Sequence, residues 1–142
     1  MSNAVLVTGG FDPLHKGHIE YFMEAKKLGD KLIVGLNSDH WLTRKKGKPF
    51  MSLENRSSII QNLSMVNEVV MYNDEDDTSC HAIEQVLHSY DNVIFANGGD
   101  RILSNIPEYE RYGNDKRVKF VCNVGGDKTE SSSWLLDEWK SP

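Results

Sequence analysis

The sequence predicts an α/β domain in which a parallel β-sheet is covered by helices on both faces. Short, nearly continuous apolar runs alternate with segments of helical periodicity, and glycine-rich or polar residues follow the apolar runs. Parallel strands that are buried on both faces have such continuous apolar runs. A chain of 142 residues with 39% hydrophobic residues is long enough for one such core, so we predict a single domain over residues 1–142.

Five apolar segments are predicted as strands and five segments of helical pattern as helices. The strands are predicted at residues 5–7, 31–36, 68–71, 92–96 and 118–121. The helices are predicted near residues 17–28, 53–63, 79–89, 107–112 and 134–139, with Ser52 and Thr78 as N-caps. Residues 37–52 are predicted as a polar loop, and residues 74–77 as a solvated acidic turn. The alternation gives a three-layer Rossmann-like domain with a five-stranded parallel sheet.

Charge and composition exclude several classes of function. The formal net charge of −5 argues against nucleic acid as the main partner, so an anionic ligand needs a local cluster of basic residues. No apolar run approaches the length of a membrane span, and no basic region followed by an apolar one opens the chain. We therefore expect no membrane partner and a cytoplasmic location. The two cysteines, Cys80 and Cys122, are expected to be small buried thiols rather than a disulfide or a metal pair.

Residues 5–21 join a strand, a glycine turn and a helix start. Two histidines, His15 and His18, stand at the start of the predicted helix. Their spacing places both imidazoles on one side of the first helical turn, near its free N–H groups. A glycine turn, a helix N-terminus and two histidines together form a cradle for a polyphosphate.

Three segments that follow strands are expected to meet at this cradle. Parallel sheets bind ligands at the carboxyl ends of their strands, where the strand order reverses. Residues 8–18, 37–44 and 97–101 all follow predicted strands, so we expect them to converge.

Two other interpretations of the cradle fit the residues less well. A dinucleotide-binding turn needs a third glycine that opens the helix and an acid after the second strand, whereas Pro13 lies in this turn and delays the helix. A zinc site needs a third ligand near His15 and His18, and none stands nearby in the sequence.

The stretch Gly-Gly-Phe-Asp-Pro-Leu-His-Lys-Gly-His resembles the signature of the cytidylyltransferase-like nucleotidyltransferases, with its His-x-Gly-His box. Further pieces fall in the family's order, namely Gly29-Asp30, a basic loop, Ser-Leu-Glu-Asn-Arg, the acidic turn and Gly-Gly-Asp. The resemblance covers nearly the whole chain. The sequence is similar to those of small bacterial members of the family, glycerol-3-phosphate cytidylyltransferase and the nucleotidyltransferase domain of the bifunctional heptose enzyme.

The resemblance implies transfer of a nucleoside monophosphate from a triphosphate to a phosphorylated acceptor, with release of pyrophosphate. The acceptor phosphate is already a nucleophile at neutral pH, so the site must align the reactants and neutralise growing charge. His15 and His18 are the predicted catalytic donors to the phosphates, and Lys45 resembles the lysine that closes over them. The implied cofactor is Mg²⁺, which the nucleotide phosphates hold without a direct protein ligand.

The predicted nucleotide-binding residues lie at strand ends and at the start of the last helix. They are Thr8, Gly9, Gly10, Phe11, Asp12, Gly17, Arg56, Gly98, Gly99, Asp100, Lys128, Thr129, Ser131, Ser132 and Ser133. In the family, an arginine like Arg56 reaches the triphosphate or the acceptor. Asp12 is expected either to orient the cradle or the water shell of the magnesium ion, or to serve as a turn-forming residue. Lys128-Thr129 stands where the family has an Arg-Thr pair, so a point charge replaces a planar fork.

The sequence leaves the substrates open. CTP is the first choice of nucleotide, with a small phosphorylated polyol or sugar as acceptor. The alternative is an adenylyltransferase that uses ATP on a sugar 1-phosphate such as heptose 1-phosphate. A further alternative is a nucleotide-binding module without turnover. The exposed faces of a small domain and the habit of the family favour a homodimer.

Overall fold

The computed structural model describes residues 3–99, 101–125 and 132–140. In this part of the chain, five strands form one sheet in the order β3-β2-β1-β4-β5, and every neighbouring pair is parallel. The strands are β1 (Asn3–Gly9), β2 (Lys31–Leu36), β3 (Glu68–Met71), β4 (Asn92–Gly98) and β5 (Val118–Val124). The predicted fold class, a Rossmann-like α/β domain with a five-stranded parallel sheet, is confirmed.

Six α-helices connect or follow these strands within the described residues. They are α1 (Lys16–Lys26), α2 (Asp39–Lys46), α3 (Leu53–Gln61), α4 (Cys80–Leu87), α5 (Pro107–Tyr112) and α6 (Ser132–Lys140). A short 3₁₀ turn, Leu103–Asn105, precedes α5. None of the described helices is both long enough and apolar enough to cross a membrane.

The core lies in two layers, one on each face of the sheet. Alternate residues of β1 point to opposite faces, so Leu6 packs in the layer that contains α4 and α5, and Val7 in the layer with α1 and α3. Both residues are completely buried. This three-layer arrangement makes β1 the central strand and places its carboxyl end between helices from both faces.

The prediction of a loop over residues 37–52 is wrong, because α2 lies within it. Ser38 is the N-cap of α2, and its hydroxyl accepts a hydrogen bond from the N–H of Trp41 at 3.1 Å. Gly47 ends the helix with a φ of 93°, a left-handed conformation that favours glycine. Leu42 is the buried residue of α2, so the helix lacks the apolar stripe that reveals most helices in a sequence.

The prediction of a solvated turn over residues 74–77 is also wrong for its first residue. Asp74 is 3% exposed, and its carboxylate accepts hydrogen bonds from the N–H and the hydroxyl of Ser38 and from the Asn37 amide. These bonds fasten the loop after β3 to the start of α2.

The cysteines occur as free thiols, Cys80 buried and Cys122 half-buried, and burial raises the pKa of the Cys80 thiol.

Candidate functional site

A cavity of about 540 Å³ opens at the carboxyl ends of β1, β2, β4 and β5. The three segments that were expected to meet there do so, since Asn37, Asn97 and Arg101 line the cavity together with the turn after β1. Twelve predicted site residues line it, namely Thr8, Gly9, Gly10, Phe11, Asp12, His15, Gly17, His18, Lys45, Gly98, Gly99 and Ser132.

The glycine turn is shaped by close packing. A Cβ atom on Gly10 would lie 2.8 Å from Cδ2 of Leu42, so a side chain at this position would push against α2. Phe11 follows with a φ of 51°, which is uncommon for a residue other than glycine. Its ring holds this conformation by edge contacts with His18 and Phe22, each with ring centroids 5.0 Å apart. The turn therefore presents its backbone to the cavity in one conformation.

The two histidines cap α1 reciprocally. Nδ1 of His15 accepts the N–H of Gly17 at 3.1 Å, and Nδ1 of His18 accepts the N–H of His15 at 3.2 Å. Their rings stack with centroids 3.7 Å apart. Because both Nδ1 atoms act as acceptors, the neutral rings carry their protons on Nε2. The helix start thus selects the tautomer in which each ring offers an Nε2–H donor.

Asp12 holds the loop before α3 against the glycine turn. It is 2% exposed, and its carboxylate accepts the N–H groups of Phe50 and Met51, each at 2.6 Å. Nζ of Lys46 lies 3.1 Å from the same carboxylate and donates to the main-chain oxygen of Asp12. Asp12 therefore fastens the loop before α3 to the turn after β1. Its role in orienting the cradle or the water shell of a magnesium ion stays a prediction.

Lys46 lines the cavity and was missed by the sequence reasoning, which chose its neighbour Lys45. A run of basic residues carries no signal of which ammonium turns inward. The structure brings both lysines to the cavity from the last turn of α2. Nζ of Lys45 lies 4.9 Å from the ring centroid of Trp41, one helical turn earlier, which is a cation–π distance.

Arg56 is a predicted site residue that the structure does not bring to the cavity. It is 1% exposed, and Nη1 of its guanidinium donates to the main-chain oxygens of Gly10 and Asn37. Nε donates to the oxygen of Met51, and Nη2 pairs with the carboxylate of Asp39 at 2.8 Å. Arg56 thus lies behind the glycine turn and fixes it to β2 and α3.

Glycines and an aromatic ring form the end of the cavity near β4 and β5. Gly98 and Gly125 pack against Tyr21, and a Cβ atom on either would lie 3.3 Å or less from it. The hydroxyl of Tyr21 donates to the main-chain oxygen of Ala96, and its burial raises the pKa of the phenol. A close neighbour of Gly98 is therefore Tyr21, whereas a Cβ atom on Gly99 would meet nothing within 4 Å. The approach of a nucleobase or ribose to Gly98 and Gly99 stays a prediction.

The last predicted segment is described only in part. The hydroxyl of Ser132, the first residue of α6, donates to the main-chain oxygen of Pro13 at 2.8 Å. This bond links the start of α6 to the turn after β1. Asp100, Lys128, Thr129 and Ser131 lie outside the described residues, as does the side chain of Ser133.

A family model described as cytidylyltransferase-like matches residues 6–133. The bifunctional protein HldE of Blochmanniella floridana is 40% identical over an alignment of 138 residues, and the match covers 94% of this chain and 26% of that protein. HldE of Geobacter sulfurreducens is 35% identical over an alignment of 130 residues, and the match covers 88% of this chain and 25% of that protein. The chain therefore spans about a quarter of the length of these relatives.

Solved structures share the fold. A lipopolysaccharide core biosynthesis protein from Thermoplasma volcanium matches with a TM-score of 0.68 and 28% identity, over 87% of this chain and 97% of that one. A bifunctional NMN adenylyltransferase/ADP ribose pyrophosphatase from Francisella tularensis has a TM-score of 0.68 at 16% identity, over 98% of this chain and 42% of that one. Both comparisons agree with the sheet and helices described above.

Proposed function

Because the chain belongs to the cytidylyltransferase-like family, we propose that it transfers AMP from ATP to a sugar 1-phosphate and releases pyrophosphate. The enzyme class, a nucleotidyltransferase, agrees with the prediction made from the His-x-Gly-His box. The HldE relatives favour the ATP alternative over CTP, which was the first choice from the sequence. Heptose 1-phosphate is the acceptor that we propose.

The observation that carries this proposal is the pair of stacked histidines beside a rigid glycine turn. An oxygen of the acceptor phosphate attacks the α-phosphorus of ATP, and the bond from that phosphorus to the β-phosphate oxygen breaks. Negative charge grows on the α-phosphate and on the leaving pyrophosphate. We propose that the Nε2–H groups of His15 and His18, together with the backbone N–H groups of the glycine turn, donate to these oxygens, since these residues line the cavity.

Lys46 and Lys45 supply positive charge at the same cavity. Lys46 is held beside Asp12 by its ion pair, whereas Lys45 lies over the ring of Trp41. Both ammonium groups are on α2, whose N-terminal end is fastened by Asp74. We propose that the two lysines neutralise the triphosphate during binding and during loss of pyrophosphate.

Mg²⁺ held by the phosphates of ATP is the cofactor that we propose. Among the described residues, no group of three His, Cys, Asp or Glu side chains could hold a metal ion. Both carboxylate oxygens of Asp12, which lines the cavity, accept main-chain N–H groups at 2.6 Å. Mg²⁺ bound with ATP would neutralise charge on the leaving pyrophosphate.

We also propose that the protein is located in the cytoplasm and forms a homodimer.

A nucleotide-by-acceptor screen for pyrophosphate release tests the proposed reaction. ATP and CTP are each combined with heptose 1-phosphate and with glycerol 3-phosphate. Release only with ATP and the heptose compound is the expected result. Release with CTP and glycerol 3-phosphate would refute the proposed pair of substrates. Tight nucleotide binding without turnover in any combination would favour the nucleotide-binding module instead.

A further inference from the structure

Two helices on the face of the sheet opposite α1 contribute a polar wall to the cavity. Ser79, at the N-cap position of α4, and Glu108, in the first turn of α5, both line it. Both residues are buried, and Glu108 is 5% exposed. The main-chain N–H of Ser79 donates to Oε2 of Glu108 at 2.7 Å, so the carboxylate has a fixed place in the wall.

Glu108 differs from two other acidic residues of the cavity in its neighbours. Asp12 pairs with Lys46, and Asp77 pairs with Arg44. Within the described part of the chain, Glu108 forms no ion pair, and its Oε1 atom receives no hydrogen bond. Because Glu108 lines the cavity and its Oε1 is not one of the buried atoms that lack a partner, this oxygen is accessible to a ligand. A ligand that brings donors to Oε1 would therefore gain binding energy at this place.

Neutral hydroxyl groups lie beside this carboxylate. The hydroxyls of Thr8 and Ser79 are 2.8 Å apart, and that of Ser79 is 3.2 Å from the phenol of Tyr72. Burial raises the pKa of Tyr72 to about 12, so the phenol keeps its proton at neutral pH. Thr78, next to Ser79, also lines the cavity. Such a wall offers donors and acceptors to hydroxyl groups, and its negative charge repels a phosphate.

We propose that Glu108 and Ser79 bind hydroxyl groups of the acceptor and so select a phosphorylated polyol or sugar. The inference rests on the proposed function and assigns recognition of the acceptor to the wall formed by Ser79 and Glu108. The acceptor phosphate then faces the histidines and Lys46, and its hydroxyl-bearing end faces Glu108. Glu108 is in this arrangement a specificity-determining residue that recognises the acceptor and leaves the nucleotide untouched.

Calorimetric titration of Glu108→Gln tests this assignment directly. Glutamine keeps the shape and still accepts the Ser79 N–H, but it lacks the charge. We expect the Kd for heptose 1-phosphate to rise about 10- to 100-fold, as for loss of a hydrogen bond to a charged group, and the Kd for ATP to change less than about twofold. Glu110→Gln is the matched control, because Glu110 lies in the same helix and is exposed.

Three results would overturn the proposal. The first is a Kd for heptose 1-phosphate that changes less than about twofold in Glu108→Gln, because loss of a hydrogen bond to a charged group should change the Kd by more than about twofold. The second is tighter binding of ethanolamine phosphate than of either hydroxyl-rich phosphate, since a carboxylate would then serve an ammonium group. The third is no binding of heptose 1-phosphate or glycerol 3-phosphate by the wild-type chain.

A second measurement needs no variant and covers the case that Glu108→Gln does not fold. Deoxy analogues of the acceptor, each lacking one hydroxyl, are titrated into the wild-type chain. At least one should bind about tenfold more weakly, and a series within about twofold would refute hydroxyl recognition. Pyrophosphate release is measured separately. Glu108-dependent binding without release would refute the proposed reaction alone, and release that does not depend on Glu108 would refute this inference alone.

Discussion

Removal of the Arg56 side chain should destabilise the fold by about 3–5 kcal/mol, mainly because three main-chain oxygens lose the donor that satisfies them. Its guanidinium donates to the main-chain oxygens of Gly10, Asn37 and Met51 at 2.8–3.1 Å and to the carboxylate of Asp39 at 2.8 Å. The side chain is completely buried, so Arg56→Ala removes all four bonds and leaves a void behind the glycine turn.

The magnitude follows from these contacts. A lost intramolecular hydrogen bond costs about 0.5–1.5 kcal/mol, and a buried polar group without a partner costs about 1–3 kcal/mol. The three carbonyl oxygens that Arg56 satisfies supply most of the loss. The ion pair adds little because the side chain of Asp39 is 44% exposed. A loss of about 3–5 kcal/mol is a large part of the stability of a small domain.

Urea denaturation of wild type and Arg56→Ala measures this loss, with Arg111→Ala as the control. Arg111 is 53% exposed and pairs with Glu84 at 3.5 Å, so its removal should cost less than about 1 kcal/mol. An Arg56→Ala chain that loses less than about 1 kcal/mol but no longer binds ATP would refute the positioning role, since a purely structural loss predicts the reverse. That result would support the predicted contact of Arg56 with the triphosphate.

Two further predictions concern packing and pH. Gly10→Ala should destabilise the chain by about 1–3 kcal/mol, because its Cβ would meet Leu42 at 2.8 Å, and a second substitution, Leu42→Val, should recover part of the loss in urea denaturation. Hydrogen bonds from Arg117 lower the pKa of Asp115 to about 2, so this pair stabilises the fold above the unfolded pKa near 4 and stops doing so as pH falls towards 2. The melting temperatures of wild type and Asp115→Asn should therefore differ at pH 6 and converge at pH 2, and a difference that persists at pH 2 would contradict the linkage.

The sheet could be predicted because its signal is local. Buried parallel strands are short apolar runs, and the predicted bounds of β2 and β3 agree with the structure. Helix α2 could not be recognised by periodicity, because it buries Leu42 and so has no repeating pattern of apolar residues. Its caps, Ser38 and Gly47, were the available signals, and they would have turned the predicted loop into a helix.

The part of the site around β1 could be predicted, whereas the wall built across the sheet could not. The histidines lie three residues apart, and the reciprocal capping of one helix start, with His15 as the N-cap, brings their rings together. Ser79 and Glu108 are 29 residues apart, and only the packing of α4 and α5 brings them into contact. Arg56 posed the opposite problem, since arginine is rarely buried and a basic residue near an anion site suggests a ligand contact.

Pyrophosphate release by wild type and His18→Ala, with ATP and heptose 1-phosphate, tests nucleotidyl transfer at this cavity most directly. Loss of one preorganised donor to the transition state costs about 2.7–4 kcal/mol, so turnover should fall by about 100- to 1,000-fold. The melting temperature shows whether the variant is folded. A folded His18→Ala chain with near-wild-type turnover, or a wild-type chain that releases no pyrophosphate from ATP with heptose 1-phosphate, would contradict the proposed reaction.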